Sequence, residues 1–248
     1  MNRRLASLAL AAIAACSATT VQADDSAAWR QSVAIYGMGA AINGTAQIGN
    51  VVVPVDVSIS ELFDNLEFGA MGVYRIENDT WSGTVDASFM GLGGGGKTQG
   101  GRASASMDMG QLLVMATVGR KVVPNLELRA SLVYIDLSTD LDVRLLESRT
   151  TASRDADWID PAIGVRFTTP FGGDKWKFAL TYDVGGFGVG SELMYATTAS
   201  VHRQVTPACG WFMGYRYLAF DYEDGKGGNY QRYDLSEQGP GVGVSFAF

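Results

Sequence analysis

The chain is poor in cysteine and proline and, beyond its N-terminus, has no long apolar run. It holds two cysteines in 248 residues, and only Cys209 remains once the N-terminal leader is removed, so no internal disulfide forms. Six prolines stand against 31 glycines, with scarcely any helical periodicity, which indicates an all-β chain. No stretch past the N-terminus approaches the ~20 apolar residues of a membrane helix, so spanning helices are excluded.

The N-terminus has the pattern of an export signal. Arg3 and Arg4 precede an apolar run, 5–15, and Ala23 ends a small-residue cleavage site. The sequence predicts a signal peptide at 1–23 and one mature domain at 24–248. A second interpretation stays open, because Cys16 closes a motif that also fits lipoprotein processing. Loss of the two leader arginines takes the net charge from −7 to −9, which argues against a nucleic-acid partner.

The last sixteen residues, 233–248, carry the clearest strand pattern. From residue 239 onward, small or polar residues alternate with apolar ones, which predicts a strand with two unlike faces. A glycine-rich face opposite an apolar face is typical of a strand between a narrow lumen and lipid. The small face holds Gly239, Gly241, Gly243, Ser245 and Ala247, and the apolar face holds Pro240, Val242, Val244, Phe246 and Phe248.

This strand resembles the closing strand of Gram-negative outer-membrane barrels. Their assembly signal reads glycine, two residues, an apolar residue, one residue and a terminal aromatic, and Gly243, Phe246 and Phe248 stand at those positions. The usual polar residue two places before that glycine is missing, because position 241 is also glycine. The resemblance implies two partners, the barrel assembly machinery and the lipid of the outer membrane.

Nine further segments alternate in the same way, so the sequence predicts a transmembrane antiparallel up-and-down β-barrel of about ten strands. An even strand number places both chain ends on one side, as single-chain bacterial barrels require. Short turns, mostly with proline, alternate with long glycine-rich or charged connections, which is the periplasmic-to-extracellular asymmetry of such barrels. The predicted location is the bacterial outer membrane. The predicted strands are 29–43, 67–77, 81–91, 103–121, 126–140, 158–169, 176–186, 192–203, 211–222 and 233–248.

Four of the five tryptophans stand at the first residue of a strand that rises from the periplasmic side. Each has the parity of the apolar face. Indole rings favour the membrane interface because the ring is apolar while its N–H needs a polar partner. The fifth, Trp158, starts a descending strand and is expected at the opposite rim. The predicted periplasmic girdle is Trp29, Trp81, Trp176 and Trp211.

Strand parity also predicts which charges face the lumen. Two interpretations remain open, a mutually paired network that satisfies a narrow interior and a polar path that selects small solutes. Pairing and lining use the same residue types, so parity does not separate them. The predicted lumen charges are Arg75, Asp86, Glu127, Arg129, Asp160, Arg166, Asp183, Glu192 and Arg216.

The connection 44–66 is the only one with helical character. Ser58 and Glu61 have the spacing of a capping box, and an apolar stripe follows at helical intervals over about two turns. Two turns are not stable alone in water, so the stripe must pack on something. One hypothesis places the helix across the outer rim. The other makes it a lumen plug formed by Glu61, Leu62, Phe63 and Asp64, with its acids reaching lumen arginines.

Catalysis is not expected, and neither a metal nor a cofactor is predicted. Known enzymes among small outer-membrane barrels generally use a histidine base near the outer leaflet or outer mouth. The single histidine, His202, falls near the periplasmic end of its strand instead. The acids Asp160, Asp183 and Asp221 are more simply interpreted as solvated charges near the outer end. The glycine-rich stretch after residue 91 resembles a phosphate loop, but its spacing is wrong and no helix follows.

Residues 158–248 carry the runs DPAIGVRF, DVGGFGVGSE and GYRYLAFDYEDG. This half resembles uncharacterised proteins grouped with the opacity and OmpW-like porin families, whereas the first half is similar only in pattern. The resemblance implies fold and location, not a substrate. The function expected is a porin-like, narrow passive channel for small solutes or a structural surface barrel. The alternative is an adhesin-like protein that binds through the extracellular loops 91–102 and 141–157.

Overall fold

The computed structural model of the protein describes residues 28–49, 51–97, 103–145, 148–173 and 175–248. The predicted signal peptide, 1–23, and the alternative cleavage site at Cys16 lie outside the described residues. Within the described ranges, no helix has the length and apolar character needed to cross a membrane.

The described residues form twelve β-segments and one short α-helix, with a 3-10 turn at Gly227–Asn229. All strand pairings are antiparallel. The elements are β1 (Arg30–Met38), β2 (Ala41–Ile48), β3 (Val51–Val57), α1 (Ile59–Asn65), β4 (Leu66–Glu77), β5 (Trp81–Lys97), β6 (Ala103–Val123), β7 (Leu126–Leu145), β8 (Ser148–Phe171), β9 (Trp176–Gly186), β10 (Leu193–Thr206), β11 (Cys209–Asp224) and β12 (Gln231–Ala247).

The sheet closes into a barrel of ten strands. β1 pairs with both β4 and β12, which joins the two ends of the series. β1 and β2 are two segments of one strand, because both pair with β12 in a continuous register. β3 pairs with β2 alone and stands outside the closed ring. Twelve segments therefore give ten barrel strands, and the predicted all-β barrel with one short helix is confirmed.

The outer surface of the barrel is apolar and exposed. Leu132, Ile163 and Val242 show 57, 59 and 62% of their surface. Large aliphatic side chains at such exposure, on strand after strand, are the lipid-facing band of a transmembrane barrel. The protein is thus an integral protein of the bacterial outer membrane. The end with the short turns and both chain termini is the periplasmic end.

The strands extend beyond the predicted boundaries on the extracellular side. β8 has 24 residues, whereas about 9–11 suffice to span a bilayer. The predicted loops 91–102 and 141–157 are therefore wrong as loops, because β5 to β8 continue through most of both segments as hairpin arms. Trp158 consequently lies inside β8 on its inner face, not at the start of a strand.

The barrel interior has an apolar half and a polar half. One buried cluster joins inner side chains of β6, β7, β8, β10, β11 and β12. β7 and β12 lie on opposite sides of the ten-strand ring, so the cluster crosses the lumen. The cluster sits toward the extracellular end and leaves the polar space at the periplasmic end. Its members include Leu113, Ile135, Trp158, Leu218 and Leu235, all 6% exposed or less.

Candidate functional site

The polar half of the interior is a cavity of about 810 Å³ toward the periplasmic end. Its wall is formed mostly by inner-facing positions of the barrel strands, together with residues of the periplasmic turns such as Pro124, Lys175 and Pro207. Bases outnumber acids on this wall by nine to four, although the whole chain has a net charge of −7. The bases are Arg30, Arg75, Lys121, Arg129, Arg166, Lys175, Lys177, Arg203 and Arg216, and the acids are Glu77, Asp86, Glu127 and Asp183.

Arg75 is the centre of a network on the cavity wall. Its Nη2 lies 2.6 Å from Oε2 of Glu127 and 2.9 Å from Oε2 of Glu77. The Ser82 hydroxyl donates to the other Glu127 oxygen at 2.8 Å, and Lys121 lies 3.0 Å from Glu77. Glu127 is 4% exposed, and this set of donors compensates the cost of burying its charge.

Arg129 and Asp183 form a second buried pair, with Nε 3.2 Å from Oδ1. Glycines make room for the acids of these two pairs. A Cβ on Gly119 would collide with the carboxylate of Glu127, and a Cβ on Gly164 would collide with that of Asp183. The lumen face therefore needs glycine beside these two carboxylates.

A third group joins strands that are distant in the sequence. The Tyr36 hydroxyl donates to Oδ1 of Asp86 at 2.7 Å and accepts from Nη1 of Arg216 at 3.0 Å. The same Arg216 nitrogen lies 3.7 Å from Oδ2 of Asp86. This triad stands where the polar cavity meets the space below α1, since Tyr36 and Arg216 line both.

Four cavity bases have no carboxylate within ion-pair distance among the described side chains: Arg166, Lys175, Lys177 and Arg203. Arg203 lies over the Trp176 ring, 5.1 Å from its centroid. Arg166 donates a hydrogen bond from Nε to the Thr168 hydroxyl at 3.4 Å. The cavity is thus a partly neutralised cationic site that suits an anion.

Asp160 was predicted to face the lumen, and it lies inside the barrel but away from the cavity. It is 0% exposed and accepts from the Trp158 indole at 3.0 Å, the Ser191 backbone at 2.6 Å and the Ser191 hydroxyl at 2.5 Å. These donors tie the turn between β9 and β10 to β8. The prediction that Glu192 faces the lumen is wrong. Glu192 is exposed in that turn, one residue before β10 begins.

The apolar cluster forms the roof of the cavity. Trp158 stacks on Tyr222 with ring centroids 4.0 Å apart and meets Phe220 edge-on at 5.3 Å. These contacts join β8 to β11 past the short β9–β10 hairpin.

The helix α1 has the predicted capping box. The Ser58 backbone N–H and hydroxyl donate to Glu61 at 2.8 and 2.7 Å, and the Glu61 N–H donates to the Ser58 hydroxyl at 3.2 Å. These two donations lower the pKa of the Glu61 carboxyl. Leu62 is 2% exposed and packs on inner side chains, Ala40, Ile42 and Met90.

Leu62 therefore points inward, as the plug hypothesis requires, but the predicted contacts of the acids are wrong. Arg75 and Arg129 take their carboxylate partners from the barrel wall. Glu61 is held by Ser58, and Asp64 is exposed. The Phe63 side chain lies outside the described residues.

The remaining predicted residues lie as follows. Trp29 and Trp81 are about half exposed on the outer face, and Trp176 and Trp211 meet edge-on at 5.6 Å. In the closing strand, Gly243 faces inward against Tyr36 and Phe212. Phe246 and Phe248 point outward and are 46% and 72% exposed.

Sequence reasoning missed Tyr36 and six of the thirteen charged cavity residues, which are Arg30, Glu77, Lys121, Lys175, Lys177 and Arg203. Glu77 and Lys177 have lumen parity, so alternation was a usable signal for both. Tyr36 carries no charge, and only the pairing of distant strands brings its hydroxyl to Asp86 and Arg216. Among the described side chains, no group of three or more metal-ligating residues is arranged to hold an ion.

A closed antiparallel sheet with an apolar exterior and a partly charged interior defines an outer-membrane β-barrel protein. No family model matches the chain, and no curated protein matches it in sequence.

Several solved barrels are similar in overall course. The structure of Ail, the attachment invasion locus protein of Yersinia pestis, is 9% identical, with 89% of this chain and 98% of that chain covered and a TM-score of 0.40. The translocator domain of the autotransporter NalP from Neisseria meningitidis is 13% identical, with 88% of each chain covered and a TM-score of 0.45. The Pseudomonas putida toluene transporter TodX is 9% identical, with 91% and 90% covered and a TM-score of 0.29. Similarity at this level does not extend to function.

Proposed function

We propose that the protein is a narrow, gated passive channel that selects small anionic solutes. The observation that supports this is the cationic cavity, nine bases against four acids in an acidic chain. A cleft lined by one sign of charge raises the local concentration of the opposite ion. The bases that have no carboxylate partner among the described side chains, Arg166 and Lys177 among them, are the groups an entering anion would meet.

The apolar cluster is the proposed gate. Hydrophobic constrictions close a pore by excluding water, and they open when the side chains separate. Trp158 stacks directly on Tyr222 across the extracellular half, so their separation is the simplest opening step. The proposal predicts rare openings of the unmodified barrel and frequent openings once this stack is removed.

Conductance in a planar bilayer tests both points. Trp158→Ala should raise the open probability, and the reversal potential in a KCl gradient should show a preference for chloride. Adding Arg166→Gln and Lys177→Gln should reduce that preference, whereas Lys226→Gln, at an exposed extracellular turn, should not. A cation preference, or a silent Trp158→Ala barrel that still folds, would contradict the proposal.

The surface-interaction alternative is supported by a separate observation, the hairpin arms of β5 to β8. They continue for many residues past the membrane and offer an extended sheet to a partner. Shortening the β7–β8 arm should abolish adhesion without changing conductance if this alternative holds. Membership of the opacity and OmpW-like grouping stays a prediction. The channel proposal assigns the protein no catalytic step and no cofactor.

A further inference from the structure

We propose that two arginine–tryptophan pairs on the outer face of the barrel each bind the head group of an anionic glycerophospholipid in the periplasmic leaflet. The pairs are Arg203 with Trp176 and Arg120 with Trp81. Both lie on the outer surface, so their role does not depend on whether the barrel conducts.

The two pairs have the same position in two hairpins. Trp81 is the first residue of β5, and its cross-strand partner on β6 is Arg120. Trp176 is the first residue of β9, and its cross-strand partner on β10 is Arg203. In each returning strand the arginine lies three residues before the last residue. The hairpins stand four strands apart in the ring, so the pairs form two separate sites.

Each arginine lies against the ring of its tryptophan. The guanidinium carbon of Arg203 is 5.1 Å from the centroid of the Trp176 ring, and that of Arg120 is 5.5 Å from the centroid of the Trp81 ring. Trp81 is 44% exposed on the outer face. The face of an indole attracts a guanidinium at this distance and restricts its orientation. Both arginines are therefore oriented, although both are exposed.

The described side chains do not neutralise these two charges. None of their carboxylates lies within ion-pair distance of Arg120 or Arg203. Arg30, at the same end of the barrel, differs because its Nη1 lies 3.2 Å from Oδ1 of Asp79. A guanidinium without a carboxylate partner presents a planar fork of N–H donors, and this fork fits two oxygens of a phosphate. The outer rim thus offers two oriented cationic sites that suit a phosphate.

The pairs lie where lipid head groups meet the hydrocarbon layer, the level of a membrane that indole rings favour. Beside Arg120, the outward residue two positions deeper is Val118, which is 59% exposed. A lipid whose phosphate is held at either arginine therefore places its acyl chains on an apolar surface. Beside Arg203, the outward row at that depth consists of Phe178, Val201, Met213 and Val242.

The neighbours of the two arginines explain why the lipid would carry a net negative charge. Arg120 lies between Trp81 and Leu128 on the adjoining strands. A zwitterionic head group brings an ammonium, which finds no acid in either row, whereas an anionic head group brings only the phosphate charge. The row around Arg203 consists of Phe171, Trp176, Arg203 and Trp211.

Native mass spectrometry of the folded barrel in detergent tests the sites. The probes are dioleoyl phosphatidylglycerol and dioleoyl phosphatidylcholine, which share their acyl chains and differ in net charge. The barrel is expected to bind two molecules of phosphatidylglycerol in preference to phosphatidylcholine. Arg120→Gln and Arg203→Gln should each weaken one of the two about fivefold, the contribution of one base at an anionic membrane surface. The double variant should lose the preference.

Two further variants separate an oriented site from general charge at the rim. Arg30→Gln removes an arginine that is already paired with Asp79, so it should change lipid binding little. Trp176→Leu keeps the charge of Arg203 but removes the ring that orients it, so it should weaken binding at this site. Glycerol 3-phosphate carries the phosphate without acyl chains and should not displace the lipid at the same concentration. A gel shift between boiled and unboiled samples checks that every variant folds.

Equal binding of the two lipids by the unmodified barrel would overturn the proposal. An effect of Arg30→Gln as large as that of Arg203→Gln would also overturn it, because rim charge alone would then explain the preference. Displacement by glycerol 3-phosphate would show that the arginines bind soluble phosphate esters and not lipid. Should one glutamine variant fail to fold, the variant at the other arginine and the comparison of the two lipids on the unmodified protein decide.

Discussion

Replacing Leu180 by Arg tests whether the apolar exterior faces lipid. Leu180 lies on the outer face of β9, 39% exposed, four residues beyond Trp176 of the predicted girdle. Four residues rise about 13 Å along a strand, and a tilt of roughly 40° projects this to about 10 Å of depth. In an apolar band about 25 Å tall, that position is close to the midplane. Arginine there should cost about 2–4 kcal/mol of folding free energy.

The matched variant is Thr181→Arg, one residue along and facing the cavity. Thr181 is paired with Arg166 across β8 and β9, so the new charge meets a like charge. At a separation of about 5 Å in a water-filled space, that repulsion is only about 1 kcal/mol. Thr181→Arg should therefore destabilise the barrel less than Leu180→Arg.

Equilibrium urea unfolding in lipid vesicles, followed by tryptophan fluorescence, measures both free energies. The difference between the variants should be visible as separate midpoints with similar slopes. Equal losses of folding free energy would show that the inner and outer faces of β9 are assigned the wrong way round. The faces of the strands that pair with β9 would then be wrong as well.

Three further predictions follow from the roof, the helix and the lumen glycines. Trp158→Ala should cost about 3–5 kcal/mol, seen in the same unfolding assay, because a large buried ring is lost. The capping of α1 should be pH-dependent. Because the folded-state pKa of Glu61 is lowered, its stabilisation is present above the unfolded pKa and is lost as pH falls through the folded value. The protection of the α1 amides, measured as the exchange rate relative to the intrinsic rate at each pH, should therefore fall at acid pH. Ser58→Ala removes the hydroxyl donor but keeps the backbone N–H of residue 58, so it should weaken that dependence without abolishing it. Gly119→Ala should destabilise the barrel by about 1–3 kcal/mol, since its methyl group meets a buried carboxylate, whereas Gly91→Ala, with open space around the Cβ, should not.

Strand alternation was enough to predict the barrel, because the period of two is a local property of the sequence. It placed Arg75 and Glu127 on the same side of two strands, and the structure has both inside, 2.6 Å apart. It failed where the strands leave the membrane. Outside lipid both faces meet water, so residues 141–157 carry no apolar alternation although most of them are in β7 and β8.

The position of Glu192 shows a second limit of parity. Its parity is that of the inner face, but parity has meaning only within a strand. The strand begins at Leu193, because Asp160 holds Ser191 in the preceding turn. That restraint comes from Asp160 in β8, about 30 residues earlier in the chain, so the pattern of neighbouring residues does not predict it.

The end of the β1–β4 ladder depends on the same kind of non-local information. Nothing in residues 37–40 says that the strand changes partner there, since its register with β12 is unbroken. The change is visible only on the other edge, where β4 gives way to β3. Glycine at 37 and 39 nonetheless keeps the outer face bare at that point, and α1 seals the gap from above through Leu62. The two features that looked unrelated in the sequence, a glycine-rich first strand and a two-turn helix twenty residues later, meet at this point, where Leu62 packs on Ala40.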